Sequence, residues 1–415
     1  QELNYVEQIN LDSINSALLD INLELKALEK RITEKYPSET FYIDVKQLQG
    51  KLTQDNAVLV EYFYGKEHLY QFIISKNNTS FKQLPLNEDL LSSFIHLFDD
   101  ASKINNNVSS YTKSAFNCYQ NLNLKEVGDT ETLIIVPDGL LNFIPFDALL
   151  TAQATTESFS AMPFLVLSKQ ITYNASISLY LKNDTQSYNN AVLGVFPVFE
   201  NTSQPLAYSL DEAHNLKKLT HATLQLKETA TKTNFKNEAQ NFNVLHLSTH
   251  ATGGDFINPA AVAFHDEPLL LNELYGLNIA PNLVVLSACE TGIGKLQKGE
   301  GAMSLARGFQ YSGANNILFS LWQINDASTA YLMTSFYEHY TKTQSASFAN
   351  RQSKWDYIKN NSISNIKKSP YYWSAFSFYG HIEAPKKDFT IIYYLFGILV
   401  LIAVVFLYFK FVRKS

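Results

Sequence analysis

The chain has 415 residues, 46% hydrophobic and 17% charged, the balance of a folded protein with room for two or three domains. Its net charge of −6 and pI near 5.9 argue against the broad basic face of a general nucleic-acid binder. Two cysteines, Cys118 and Cys289, exclude a disulfide framework and a four-cysteine zinc site, and on count alone leave a single Cys118–Cys289 bond open.

The chain opens on Gln1 without a charged stretch leading into an apolar one, which reads as a fragment or processed product with any signal peptide upstream. Residues 1–36 predict helix, because Ile14, Leu18, Leu19, Ile21, Leu25, Leu28 and Ile32 recur at near-helical spacing until Pro37. The segment reads equally as the last piece of a helical repeat array or as an ordinary packing helix; no period of about 34 residues is visible. From Ala57 the pattern changes. Two strands, 57–65 and 68–75, flank a turn at Gly65, and a helical stretch follows over 87–123. TLIIVPDG (132–139) predicts a buried strand ending in a turn, and 142–150 continues into a helix. Further strands are predicted at 191–196, 243–249, 283–288 and 316–322, with helices at 210–218, 231–239, 271–276 and 302–312. Apolar runs alternating with amphipathic helices imply a mainly parallel sheet covered on both faces.

The uncharged run from Phe389 to Phe409 is long enough to cross a bilayer as a helix, with Tyr393, Tyr394 and Tyr408 toward its ends. It predicts one C-terminal transmembrane helix and a single-pass membrane protein. Lys386 and Lys387 on one side and Lys410, Arg413 and Lys414 on the other leave the orientation unassigned. The expected division is 1–44 helical, 45–185 the first part of the α/β region, 186–384 its catalytic part and 389–409 the membrane helix. The Asn/Asp/Ser-rich stretch near 185 supplies the internal boundary.

Chemistry concentrates at two strand ends. VLHLSTHATGG sets His250 just past a buried strand, and LVVLSACETGIG sets Cys289 just past the next. Ligands of open parallel sheets bind at the carboxyl ends of the strands, so neighbouring strands would bring a thiol and an imidazole to one crevice. Such a pair yields a thiolate nucleophile that attacks a carbonyl carbon, with backbone amides near Ala251 and Cys289 as oxyanion donors. A lone buried cysteine is more often inert, and a strand-end histidine is more often structural. His246 and His250 also form an HxxxH spacing, but on a strand they lie about 13 Å apart, and no metal site is expected.

The segments VLHLSTHA, LVVLSACETGIGKLQKGEGAMSLARGFQYSGA and ILFSLWQINDASTAYLMTSFYEHY resemble the CHAT family of caspase-like peptidases, which are often fused to tetratricopeptide (TPR) repeats. VEYFYG, LIIVPDGLLNFIPFDALL, SLDEA and YYWSAFSFYG resemble its flanking blocks, so the likeness covers roughly 45–383. The resemblance implies a caspase-like α/β/α sandwich and a His250–Cys289 dyad in a cysteine endopeptidase that cleaves a protein substrate at a limited number of sites. No cofactor is implied, and an upstream TPR array would recruit a protein partner. Separases of the same clan carry an aspartate after a Trp on the strand following the nucleophile. Trp322 and Asp326 stand comparably, implying a substrate pocket for a basic residue. Asp326 is equally placed to cap a helix beginning at Ala327. The rival reading is a catalytically silent interaction scaffold at the membrane.

Overall fold

The computed structural model describes residues 43–182, 191–200, 202, 205–206, 208–253, 259–277, 279–287, 301–322 and 326–386, together with four residues nearer the N-terminus. The chain divides into two compact units, Gln1–Val45 and Lys46–Ser415. In the first, Leu23, Glu24, Ala27 and Arg31 are helical.

The second unit is built on one eleven-stranded sheet. Its first five strands are β1 (Ala57–Tyr64), β2 (His68–Ile74), β3 (Thr79–Pro85), β4 (Thr132–Val136) and β5 (Gln170–Tyr173). The next are β6 (Val192–Phe196), β7 (Thr223–Leu226), β8 (Val244–Leu247), β12 (Leu283–Leu286), β13 (Asn316–Ser320) and β14 (Phe376–Tyr379). Between them in sequence, β9 (Ala251–Thr252), β10 (Ala261–Val262) and β11 (Leu269–Leu270) form a separate small antiparallel sheet. The large sheet runs β3-β2-β1-β4-β5-β14-β13-β12-β8-β6-β7. The hairpins β1–β2–β3 and the β13–β14 pair are antiparallel, and the other pairs are parallel. Every residue of β4, β6, β8, β12 and β13 is buried, which follows from aliphatic runs lying in a sheet covered on both faces. Edge strand β3, TSFKQLP, alternates instead between exposed and half-buried positions.

The covering helices are α1 (Val45–Gln54), α2 (Glu88–His96), α3 (Ala101–Asn105), α4 (Val108–Asn121), α5 (Ser209–Thr220), α6 (Lys232–Glu238), α7 (Gly301–Tyr311), α8 (Asp326–Thr343) and α9 (Ala346–Lys359). Single helical turns at Leu165–Ser168, Ile177–Leu181 and Leu271–Tyr275 join them. The helical stretch expected over 87–123 consists of three helices, because Asn87, Asp100 and Asn107 each accept a backbone N–H and start a new one. The helix expected over 142–150 is replaced by 3₁₀ turns, Gly139–Phe143 and Phe146–Ala148. Pro145 explains the break: it disfavours helical geometry at Ile144, whose ψ is 119°.

Two expectations are corrected. Among the described residues no helix is long and apolar enough to cross a membrane. The described residues thus form a mixed α/β sandwich in which the expected C-terminal transmembrane helix is not found, and the single-pass membrane location has no support from them. The 18-residue α8 is long enough, but it carries Asp326, Glu338 and Lys342. The run 389–409 itself lies outside the described residues.

Candidate active site

Along the second half of the sheet, the chain passes from β6 outward to β7 and then returns across β6 to lay down β8. The order therefore reverses between β6 and β8, and in open α/β sheets the ligand crevice lies outside the carboxyl ends at that point. His250 follows β8 by three residues. Strand β12 lies beside β8 in parallel, with Leu286 opposite Leu247, and Cys289 follows Leu286 by the same three residues. The Ser287 amide donates to Leu247 O at 3.0 Å, extending the ladder past the strand ends. Residues 288–300, and Cys289 with them, lie outside the described residues.

His250 is half-buried and held from two sides. Its carbonyl accepts the Ala263 amide at 2.8 Å, and Ala251, buried in β9, pairs with Val262. Thr249 Oγ1 donates to Ala263 O. On the β6 side, the imidazole stacks on Phe199, ring centroids 5.0 Å apart and planes 28° from parallel. The Phe199 amide donates to Pro197 O at 2.8 Å, closing a γ-turn whose central residue, Val198, has φ 66°. Sequence reasoning missed Phe199; its only mark was a position just after an apolar strand at the switch point.

Trp322 lies just beyond β13 and is 3% exposed. Its indole N–H donates to Tyr371 O at 3.0 Å, and its ring tilts against Phe98 at 4.7 Å. Asp326 opens α8, and its side chain lies outside the described residues. Cys118 lies on α4: it is a free thiol, fully buried, and burial pushes its pKa up to about 12.

His246 belongs to a different arrangement. It is fully buried in β8, with Nδ1 3.0 Å from Tyr337 Oη and Nε2 3.3 Å from Ser287 Oγ. Nε2 also lies 3.0 Å from Glu212 Oε1, without the alignment of a hydrogen bond. Glu212 Oε2 accepts Ser248 Oγ at 2.8 Å. Among the described residues, no group of three or more His, Cys, Asp or Glu side chains is arranged to hold a metal ion. Glu212 stands in the SLDEA block, but the sequence alone did not mark it as buried against His246.

Residues 117–381 match the family model of the CHAT domain. No curated protein matches the chain. Two structures of the Saccharomyces cerevisiae separase–securin complex resemble it, with TM-scores of 0.53 and 0.51 at 10% identity, over 81% and 80% of this chain. Both alignments cover 31% of the matched chain, so the likeness shows a shared fold over a minor part of that protein. The Arg-specific cysteine proteinase gingipain R aligns with a TM-score of 0.42 at 10% identity, over 66% of this chain and 68% of its own.

Proposed function

The chain belongs to the CHAT domain family, and from that membership we propose that it is a cysteine endopeptidase acting at a limited number of sites in a protein substrate. The observation that supports this reading most is the equal offset of His250 and Cys289 from facing residues of two adjacent parallel strands. The region 186–384 is the catalytic half and 45–185 its non-catalytic companion.

In the proposed reaction, His250 takes the thiol proton and Cys289 Sγ attacks the scissile carbonyl carbon. The carbonyl oxygen becomes an oxyanion, met by backbone N–H groups at Ala251 and Cys289. Collapse breaks the C–N bond as the imidazolium gives its proton to the leaving amine. Water, deprotonated by the same imidazole, then hydrolyses the thioester and restores the thiol. Asp326, close beyond Trp322, would select a substrate Arg or Lys by a charge-assisted contact. The separase of the similar structures is held in complex with securin. A docked protein partner, or one recruited through an upstream TPR array, belongs to the same proposal.

The test is a peptide-library cleavage profile of the full chain beside three variants. Cys289→Ala and His250→Ala are expected to abolish cleavage, since general base catalysis alone is worth about 10²–10⁴-fold. Asp326→Ala should retain cleavage and lose the preference for Arg or Lys. Cleavage that persists in Cys289→Ala rejects the peptidase assignment, and an unchanged preference in Asp326→Ala rejects the pocket.

A further inference from the structure

Beneath the two strand ends lies a closed polar cluster that the proposed reaction does not use. Glu212, His246, Ser248, Ser287 and Tyr337 are all at most 4% exposed, beside strands β8 and β12 whose other residues are all aliphatic. Polar groups are retained in such surroundings only when they are paired, and an isolated carboxylate there is costly. The cluster has the composition of a Ser–His–Glu triad but not its wiring. Ser287 Oγ and Glu212 Oε1 both face Nε2, while Tyr337 occupies Nδ1, so no carboxylate orients the imidazole from behind. With all members buried, no substrate reaches them.

The chain positions are more informative. Ser248 precedes His250 by two residues, and Ser287 precedes Cys289 by two. Ser248 bonds Glu212 at 2.8 Å, and Ser287 lies 3.3 Å from His246, whose ring is 3.0 Å from the same carboxylate. One carboxylate on α5 and one imidazole on β8 thus grip the departing ends of both strands. Phe196 stacks on the His246 ring at 5.3 Å, closing off the β6 side. Tyr337 Oη, 3.0 Å from Nδ1, closes off the other ring nitrogen, and burial raises that hydroxyl well above its usual range.

We infer that Glu212 and His246 are a buried positioning pair that sets the relative placement of the chain segments leading to His250 and Cys289. The inference rests on the dyad reading. Neither residue touches substrate; both act through Ser248 and Ser287.

The two cysteines make the test internal. Iodoacetamide alkylation of the folded full chain reports on Cys289 when the dyad activates it, while buried Cys118 becomes labelled only when the fold opens. Glu212→Gln and Ser287→Ala are each expected to slow Cys289 alkylation roughly tenfold, the scale of a small misplacement of reacting groups. Cys118 should remain protected. Because both act through one cluster, the double variant should be no slower than the slower single. On a peptide substrate the loss should fall on kcat and leave KM unchanged. An unchanged Cys289 rate in both variants overturns the inference. So does a change that appears only together with Cys118 labelling, since that is general loosening. His250→Ala separates the two readings. If it leaves the Cys289 rate at the wild-type value, the dyad itself fails and the positioning role with it. If it slows alkylation while Glu212→Gln and Ser287→Ala do not, only the positioning role fails.

Discussion

Val198 and Phe199 adopt φ of 66° and 55°, a left-handed backbone that neither a β-branched nor an aromatic residue favours. Such positions cost on the order of 1–3 kcal/mol each and persist where the surroundings over-determine them. Here Val198 is buried at 2% exposure, its carbonyl accepts the Leu206 amide at 2.8 Å, and the turn delivers the Phe199 ring to His250. Two substitutions separate backbone from ring. Phe199→Ala and Phe199→Gly both remove the ring, but only glycine accepts the left-handed conformation freely. Phe199→Gly is therefore expected to be about 1 kcal/mol more stable than Phe199→Ala in urea unfolding. Equal midpoints would show that nothing holds this backbone left-handed. At this scale residue type singles out His250 and Cys289 for the proposed chemistry, but the sequence is opaque where a residue acts by placement. Phe199 carries no reactive group, and the buried role of Glu212 depends on α5 packing across a sheet whose strand order had yet to be known.

The small sheet that holds the backbone beyond His250 has its own staple. Glu273 accepts the Leu270 amide at 3.1 Å and pairs with Lys232 at 3.0 Å, while the Lys232 amide donates to Asp266 at 2.8 Å. The Leu270 amide first, and the Lys232 ammonium after it, hold the Glu273 carboxyl below its ordinary range. A lowered folded-state value means the unfolded chain binds the proton more readily as pH falls. The contribution of Glu273 is thus complete above the unfolded value of about 4.3 and is lost as pH drops through the folded value. Glu273→Gln should flatten the acid limb of a melting-temperature profile below about pH 4.5, relative to wild type, and leave its slope above pH 6 unchanged. A mutant profile parallel to wild type through the acid limb would refute the staple. Elements were legible in the same graded way. The aliphatic strands β4, β6, β8, β12 and β13 announced themselves. By contrast β9, β10 and β11 span two residues each, too short for periodicity to register, and β5, β7 and β14 interleave polar residues within four-residue strands. The polar edge strand β3 was hidden because solvent, not a core, faces much of it.

At the scale of the whole molecule, the eleven strands form two groups that meet where β5 lies beside β14, a junction with a single paired position, Tyr173 opposite Tyr379. So thin a ladder cannot by itself join two half-sheets, and side chains from both halves reinforce it. The Tyr173 and Tyr379 rings stack at 5.1 Å, Asn174 Nδ2 donates to Gly380 O at 3.0 Å, and Gln170 Nε2 donates to Ser347 Oγ at 3.1 Å. At the centre is a buried ion pair. Lys354 of α9, 1% exposed, lies 3.0 Å from Asp147 of the first half and donates to Phe376 O in β14 at 2.6 Å. Burial pushes the ammonium down and the carboxyl up, each partly offset by the other's charge. The pair thus has its main value in each partner's presence for the other, because losing one strands a charge in an apolar seam. Lys354→Met is expected to destabilise the fold by about 3–5 kcal/mol, read as a lowered urea midpoint at constant slope. Lys354→Met combined with Asp147→Leu should recover much of that loss, since no uncompensated carboxylate remains. If the double variant is as unstable as the single, the cost lies in the lost bond to Phe376 O and not in the orphaned charge. The seam would then be held by β14 and α9 alone, with Asp147 a bystander.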